Sequence, residues 1–411
     1  VSDRCERTDL DGGPVVLSET VPGVRSVSFG VWVRSGSVDE RIEEMGVSHL
    51  LEHMVFKGTT HRTARDIAVC LERLGGTLDA YTTREHTSYQ ARVLDEHADL
   101  GLDVLADLAL NPLLREEDLE LEREVVLEEI STVDDTPDDL IFEISARQLW
   151  DEHPYGYSVL GTRESVTAMT TARLRAAHER AYRRGSIVVA AAGHLDHAWL
   201  ADRVAERFGT ARPGGGVRNG LPEPGPFRPG RRVIPRPGAQ THLVLATRTF
   251  GHSDARRYAM ILLSTVLGGG MSSRLFQRVR EELGLAYSVF SFQSFYRLAG
   301  IAGVYVGTRP EWAERAEAVV LEEYERVARG GLTAAELADA KGQLKGQLVL
   351  SLESAGTRLH RLAGTALYGE PFRAAEQVMA EVDAVTGSEV AALAAEYYRP
   401  GRQCVTCLGP E

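Results

Sequence analysis

Four cysteines among 411 residues are too few to staple a fold of this size, so a disulfide scaffold is excluded and the cytoplasm is the expected compartment. Cys404 and Cys407 form a Cys-x-x-Cys, but Gln403–Leu408 reads as a strand, where positions three apart point to opposite faces. No window is long and apolar enough to span a bilayer, and Val1-Ser2-Asp3-Arg4 carries no secretory pattern. Positive charge is in short supply as well. The 46 Lys and Arg against 59 Asp and Glu give a formal charge of -13, which repels phosphate and argues against nucleic acid. The same charge favours basic or extended peptides as ligands. Gly268-Gly269-Gly270 lacks the Lys-Ser/Thr that a nucleotide loop requires, and reads as a helix break.

What is present is an ordinary globular composition, 43% hydrophobic and 26% charged, in a chain long enough for two domains. The break falls between Ala211 and Pro237, a Gly/Pro-rich stretch that divides the chain into a domain 1–212, a linker 213–236 and a domain 237–411. In the first part Val27, Phe29, Val31 and Val33 share one strand face and Ser26, Ser28, Gly30 and Trp32 the other. Leu78 to Val93 reads as a hairpin, and helical patterns cover about 96–110, 115–133 and 137–150. The second part repeats this order, with strands near 242–247, 285–295 and 301–307 among long helices. The expected fold class is α+β: two similar sandwich domains, each a mixed or antiparallel sheet packed with helices. Leu114–Leu119 resembles Leu332–Leu337, and extending that offset sets Ala340 opposite Glu122 and Gln347 opposite Glu129. The second copy has lost the acidic positions, which suggests that only one half holds a metal.

That metal is announced by His49-Leu50-Leu51-Glu52-His53. At about 100° per residue, His49 and His53 lie roughly 40° apart on a helix, with Glu52 roughly 60° to the other side of His49. Two imidazoles can ligate a zinc ion while the carboxylate beside them activates water, and the order is the inverted form of the commoner His-Glu-x-x-His. A third ligand is needed. With Leu121 at zero, Leu119, Val125, Val126, Ile130 and Val133 fall in an arc from roughly 40° to 180°, leaving Leu127 as an apolar exception. Glu122 and Glu129 fall inside that arc at roughly 100° and 80°, whereas Glu116, Glu117, Glu120, Glu124 and Glu128 lie opposite. A carboxylate aimed into a packed face needs a partner, and zinc with its surroundings supplies one.

These residues, with His53-Met54-Val55-Phe56-Lys57-Gly58-Thr59, Ala80–Thr87, Pro154-Tyr155-Gly156, Leu267–Leu275 and Gly284-Leu285-Ala286-Tyr287, resemble the pitrilysin-type zinc metallopeptidases. Within that family the chain is most similar to bacterial half-size members resembling the mitochondrial processing peptidase β subunit. The resemblance implies one Zn2+ per chain on His49, His53 and Glu129, with Glu52 as general base and Glu122 steadying the site. Arg280 and Tyr287 match the pair that the C-terminal half contributes to substrate binding and transition-state stabilisation. Asp79, Ala80, Tyr81 and Thr82 match an edge strand on which extended peptide is laid. Implied partners are an unfolded peptide substrate and a second chain, as a homodimer or with a metal-free homologue, closing a chamber. The function implied is that of an endopeptidase; the competing expectation is a non-catalytic scaffold or peptide-binding subunit.

Overall fold

The computed structural model describes residues 5–215 and 220–410. Its contacts divide into two compact units. The first comprises Val1–Ser131, Tyr157–Leu221 and Ser351–Ala374, and the second Thr132–Gly156, Pro222–Leu350 and Ala375–Glu411. The units are therefore not the sequential stretches 1–212 and 237–411. Of the linker 213–236, residues 216–219 lie outside the described residues, and residues 230–235 form a strand.

The first unit is built on β1 (Glu6–Asp9), β2 (Val15–Thr20), β3 (Ser26–Val33), β4 (Thr77–Thr82), β5 (Thr87–Leu94) and β6 (Ile187–Gly193), in the order β1-β2-β6-β3-β5-β4. Only β2 and β6 run parallel. The predicted alternation of β3 holds. Val27, Phe29, Val31 and Val33 face a core shared with Leu50, Met54, Leu102 and Val126, while Trp32 faces the opposite layer. Gly30 makes room for that indole, since a Cβ there would lie 2.2 Å from the Trp32 ring. The opposite layer is closed by a helix from late in the chain, Ala355–Tyr368, whose Leu359, Leu362, Ala363 and Ala366 pack on Leu17, Val188 and Ala190. Glu19, 1% exposed, meets the Arg358 guanidinium there, so a charge inside the sheet is matched by one on the covering helix.

The second unit repeats the plan with β7 (Gly230–Pro235), β8 (Thr241–Phe250), β9 (Ala286–Phe295), β10 (Ala299–Thr308) and β11 (Cys404–Gly409), ordered β7-β11-β8-β10-β9. The parallel pair recurs as β7 and β11. Strand for strand this is the first sheet without β1, which establishes the duplication structurally. Here the helix from early in the chain, Pro137–Trp150, packs on β8 and β11. Cys404 and Cys407 are free and buried in β11. The Gly268-Gly269-Gly270 run ends the helix Arg257–Gly268 as expected, and its first two glycines serve close approach: a Cβ at Gly268 would lie 2.4 Å from the Ser291 N and one at Gly269 2.7 Å from Thr265 Cα.

Candidate metal centre

The motif lies on the helix Val47–Val55, whose Val47, Leu50, Leu51, Met54 and Val55 are buried in the first unit's core. That anchoring turns the opposite stripe, His49, Glu52 and His53, toward the helix Glu116–Asp135 and the end of β4. The two imidazoles meet edge to face with centroids 4.7 Å apart. Glu129 approaches both, 3.6 Å from His49 Nε2 and 3.6 Å from His53 Nε2. Among the described residues, His49, His53 and Glu129 are the one group whose ligand atoms all lie within 4.8 Å of one another. Glu129 Oε2 is buried and accepts no hydrogen bond. Such an atom beside two imidazole nitrogens is what a bound cation would satisfy. Two nitrogens and a carboxylate are also a donor set proper to zinc.

The surroundings favour ligation. Burial, aided by His53, pushes the His49 imidazole down to about 4, so it is neutral and able to ligate near pH 7. His53 Nδ1 lies 3.0 Å from Glu122 Oε2, which leaves Nε2 for a metal. Glu122 is buried, and its other oxygen is 2.6 Å from Lys57 Nζ. The helical wheel places Glu122 in the packed face, but Glu129 lies at its margin with its side chain 40% exposed. Val125 is 44% exposed while Leu127, the apolar exception, packs against the core, so the packed arc is shifted and centres on Leu119, Val126 and Ile130. Ala340, opposite Glu122 in the duplicated helix, is likewise buried.

Burial raises the pKa of Glu52, the neighbouring Glu129 adds to this, and a hydrogen bond from Thr82 together with His53 opposes it. Thr82 Oγ1 donates to Glu52 Oε2 at 2.5 Å. The hydroxyl thus orients the carboxylate, a role beyond the edge-strand position read from sequence. Asp79, Ala80, Tyr81 and Thr82 do lie on β4, the last strand of its sheet, with an open edge. Tyr81 OH is 3.3 Å from Trp32 Nε1 and 3.3 Å from His360 Nδ1. Arg280 and Tyr287 belong to the second unit. There the Arg280 guanidinium lies 4.5 Å over the Tyr287 ring and donates to the Tyr287 carbonyl at 3.1 Å, and the tyrosine is 76% exposed. Lys57 and Glu40, which caps the motif helix, were not singled out from sequence. Lys57 stands in the turn just past the helix end, within the run His53–Thr59 that carries the resemblance.

A duplicated mixed-sheet unit with an inverted His-x-x-Glu-His helix and a distant glutamate beside it defines a zinc-peptidase architecture. Comparison with known proteins agrees. Residues 15–163 match the model for insulinase (peptidase family M16), and residues 168–344 that for the peptidase M16 inactive domain. An uncharacterized zinc protease of Mycobacterium tuberculosis is 42% identical over 408 residues, covering 98% of this chain and 93% of that protein. The uncharacterized zinc protease YmxG of Bacillus subtilis is 37% identical over 393 residues, covering 96% and 95%. A crystal structure described as a peptidase M16 inactive domain from Pseudomonas fluorescens superposes with a TM-score of 0.93 at 24% identity, covering 99% of this chain and 98% of that one. The chain belongs to the M16 peptidase family, as the pitrilysin-type resemblance implied. Its relatives are named zinc proteases, and no helix among the described residues is long and apolar enough to cross a membrane.

Proposed function

We propose that this protein is a zinc-dependent endopeptidase acting on unfolded or extended peptides, with one zinc ion per chain held by His49, His53 and Glu129. The observation that carries the reading is the convergence of those three ligand groups within 4.8 Å, with the Glu52 carboxylate one turn along the same helix. Zinc, when bound, supplies a Lewis acid that polarises the scissile carbonyl and acidifies water. The remaining chemistry falls to side chains. Glu52, oriented by the Thr82 hydroxyl, takes the proton of the attacking water and passes it to the departing amine. Burial raises its pKa, the direction that eases both accepting and returning a proton. Glu122 holds the His53 ring through Nδ1, so the ligating nitrogen keeps its tautomer and direction. Tyr287 is assigned donation of a hydrogen bond to the developing oxyanion. Arg280 is assigned to the substrate carbonyl or to the orientation of Tyr287, which it already stacks upon.

Peptide is read as adding to the free edge of β4, where main-chain hydrogen bonds accept many sequences. A second chain, identical or a metal-free homologue, completes the enclosing chamber in this reading, and four free cysteines suit a cytoplasmic setting. The test is a zinc assay with cleavage of a quenched fluorescent peptide, for wild type and Glu52→Gln. Proteolysis requires that both bind zinc and only wild type cleaves. Equal, background-level cleavage by two zinc-loaded proteins would instead favour the scaffold subunit.

A further inference from the structure

The helix that carries the metal motif does not cap itself. Its N-cap position is Gly46, at φ 88° and ψ 0°, and no side chain of its own reaches the first-turn N–H groups. A side chain is barred from that position, because a Cβ would lie 2.6 Å from the Leu160 carbonyl oxygen and 2.8 Å from Gly161 Cα. The first turn is held instead by a residue six positions upstream. Glu40 Oε2 accepts from the Gly46 N at 2.7 Å, and Oε1 accepts from the Ser48 N at 2.8 Å. Both oxygens of one carboxylate thus grip donors that a helix start otherwise leaves unmatched. The negative charge also lies at the favourable end of the helix dipole. His49 follows Ser48 directly, and Glu52 and His53 stand one turn on.

Glu40 is 7% exposed, so its grip is not loosened by competing solvent. The opening beside it is only about 10 Å³, room for one water at most, which keeps it from touching a substrate. Charged and titratable neighbours lining that opening are Asp39 on its own segment and Arg180 and Tyr182 at the end of the helix Thr171–Ala181. Burial pushes the Glu40 carboxyl up to about 7 against the two backbone donors. Retaining a carboxylate where ionisation is costly fits a role that neutral packing would not fill.

We propose that Glu40 is a positioning residue for the metal centre: by clamping the first turn of the motif helix it fixes the direction in which His49 presents its ligating nitrogen. The inference rests on the zinc reading above. In Glu40→Gln the amide accepts through one oxygen and sets an N–H₂ against the second backbone donor, so one clamp is lost. The experiment measures zinc affinity by competition with a chelating dye, well below the melting temperature, alongside kcat and KM. Loss of a helix-cap hydrogen bond is worth a factor of about 2 to 30 in an equilibrium constant. Glu40→Gln is therefore expected to bind zinc up to about 30-fold more weakly, with kcat lowered at matched zinc occupancy and KM nearly unchanged. Glu40→Asp, which keeps the charge on a shorter arm, is expected to fall between, and it carries the comparison if Glu40→Gln does not fold. A variant less stable to heat yet equal to wild type in zinc affinity and kcat would overturn the proposal and leave the peptidase reading intact. A wild type that binds no zinc would overturn both.

Discussion

Glu122 is the side chain through which the account can be tested most sharply without touching a ligand. It is 6% exposed, sits 3.0 Å from His53 Nδ1 and 2.6 Å from Lys57 Nζ, and so joins a metal ligand to a cation. Glu122→Gln keeps the size of the side chain and removes its charge. The bond to His53 then changes from charge-assisted to neutral. A hydrogen bond to a charged group is worth about 1.5–3 kcal/mol and a neutral one about 1 kcal/mol, so the ring loses roughly 0.5–2 kcal/mol of restraint. The expected loss in zinc affinity is therefore about 2- to 30-fold, overlapping the range seen when outer partners of metal ligands are altered. Lys57→Met is the companion variant. Lys57 is 37% exposed, so solvent screens its contribution and its effect is expected to be smaller than that of Glu122→Gln. Equilibrium competition with a fluorescent chelator measures both. A Glu122→Gln protein that binds zinc as tightly as wild type, or a Lys57→Met protein that binds more weakly than Glu122→Gln, would refute the chain from Lys57 through Glu122 to His53.

Arg358→Ala leaves Glu19, 1% exposed, in the first sheet without its guanidinium. It is expected to destabilise the fold by about 3–5 kcal/mol, read as a lower urea midpoint; an unchanged midpoint would contradict a structural role for the pair. Gly268→Ala drives a Cβ to within 2.4 Å of the Ser291 N. It is expected to cost about 1–3 kcal/mol of stability by the same assay, whereas an exposed glycine such as Gly342, with nothing within 4 Å of a Cβ, is expected to gain stability on the same change. Glu40 sets a pH dependence. Its pKa is raised from an ordinary 4.5 to about 7, so the folded state holds the proton more tightly than the unfolded chain. That contribution is fully present below about pH 4.5 and is lost as pH rises through about 7, a swing of about 3 kcal/mol. Melting curves of the metal-free protein from pH 4.5 to 8 should show this fall in wild type and lack it in Glu40→Gln; identical slopes would show that Glu40 does not titrate in that window.

The metal centre was legible because its histidines sit on a strongly patterned helix. Two histidines one turn apart declare a face, whereas Glu129 entered the wheel's arc only because the exposed Val125 was counted in it. The hairpin of β4 and β5 and the alternation of β3 were legible for the same reason, a clear period of two. What escaped had no such period. β2 carries Ser18 and Glu19 at buried positions, where His197 and Arg358 satisfy them from far along the chain. Polarity inside a two-faced strand looks like a loop until those partners are known. The Pro-rich segment read as linker forms β7 because its outer position in the sheet requires few backbone donors. The discontinuous units were out of reach for a different reason. Nothing local in Pro137–Trp150 or Ala355–Tyr368 says which sheet each helix covers; the apolar stripe is the same either way. Val125 misleads the wheel because exposed apolar side chains are common on soluble surfaces.

If one cation bridges the motif helix and the glutamate helix, anomalous diffraction at the zinc edge from crystals of the zinc-loaded protein will locate it there. One peak per chain is expected, about 2.0–2.2 Å from His49 Nε2, His53 Nε2 and a Glu129 oxygen. A zinc-loaded crystal with no peak between those three side chains, or with its peak on other residues, would contradict the bridging.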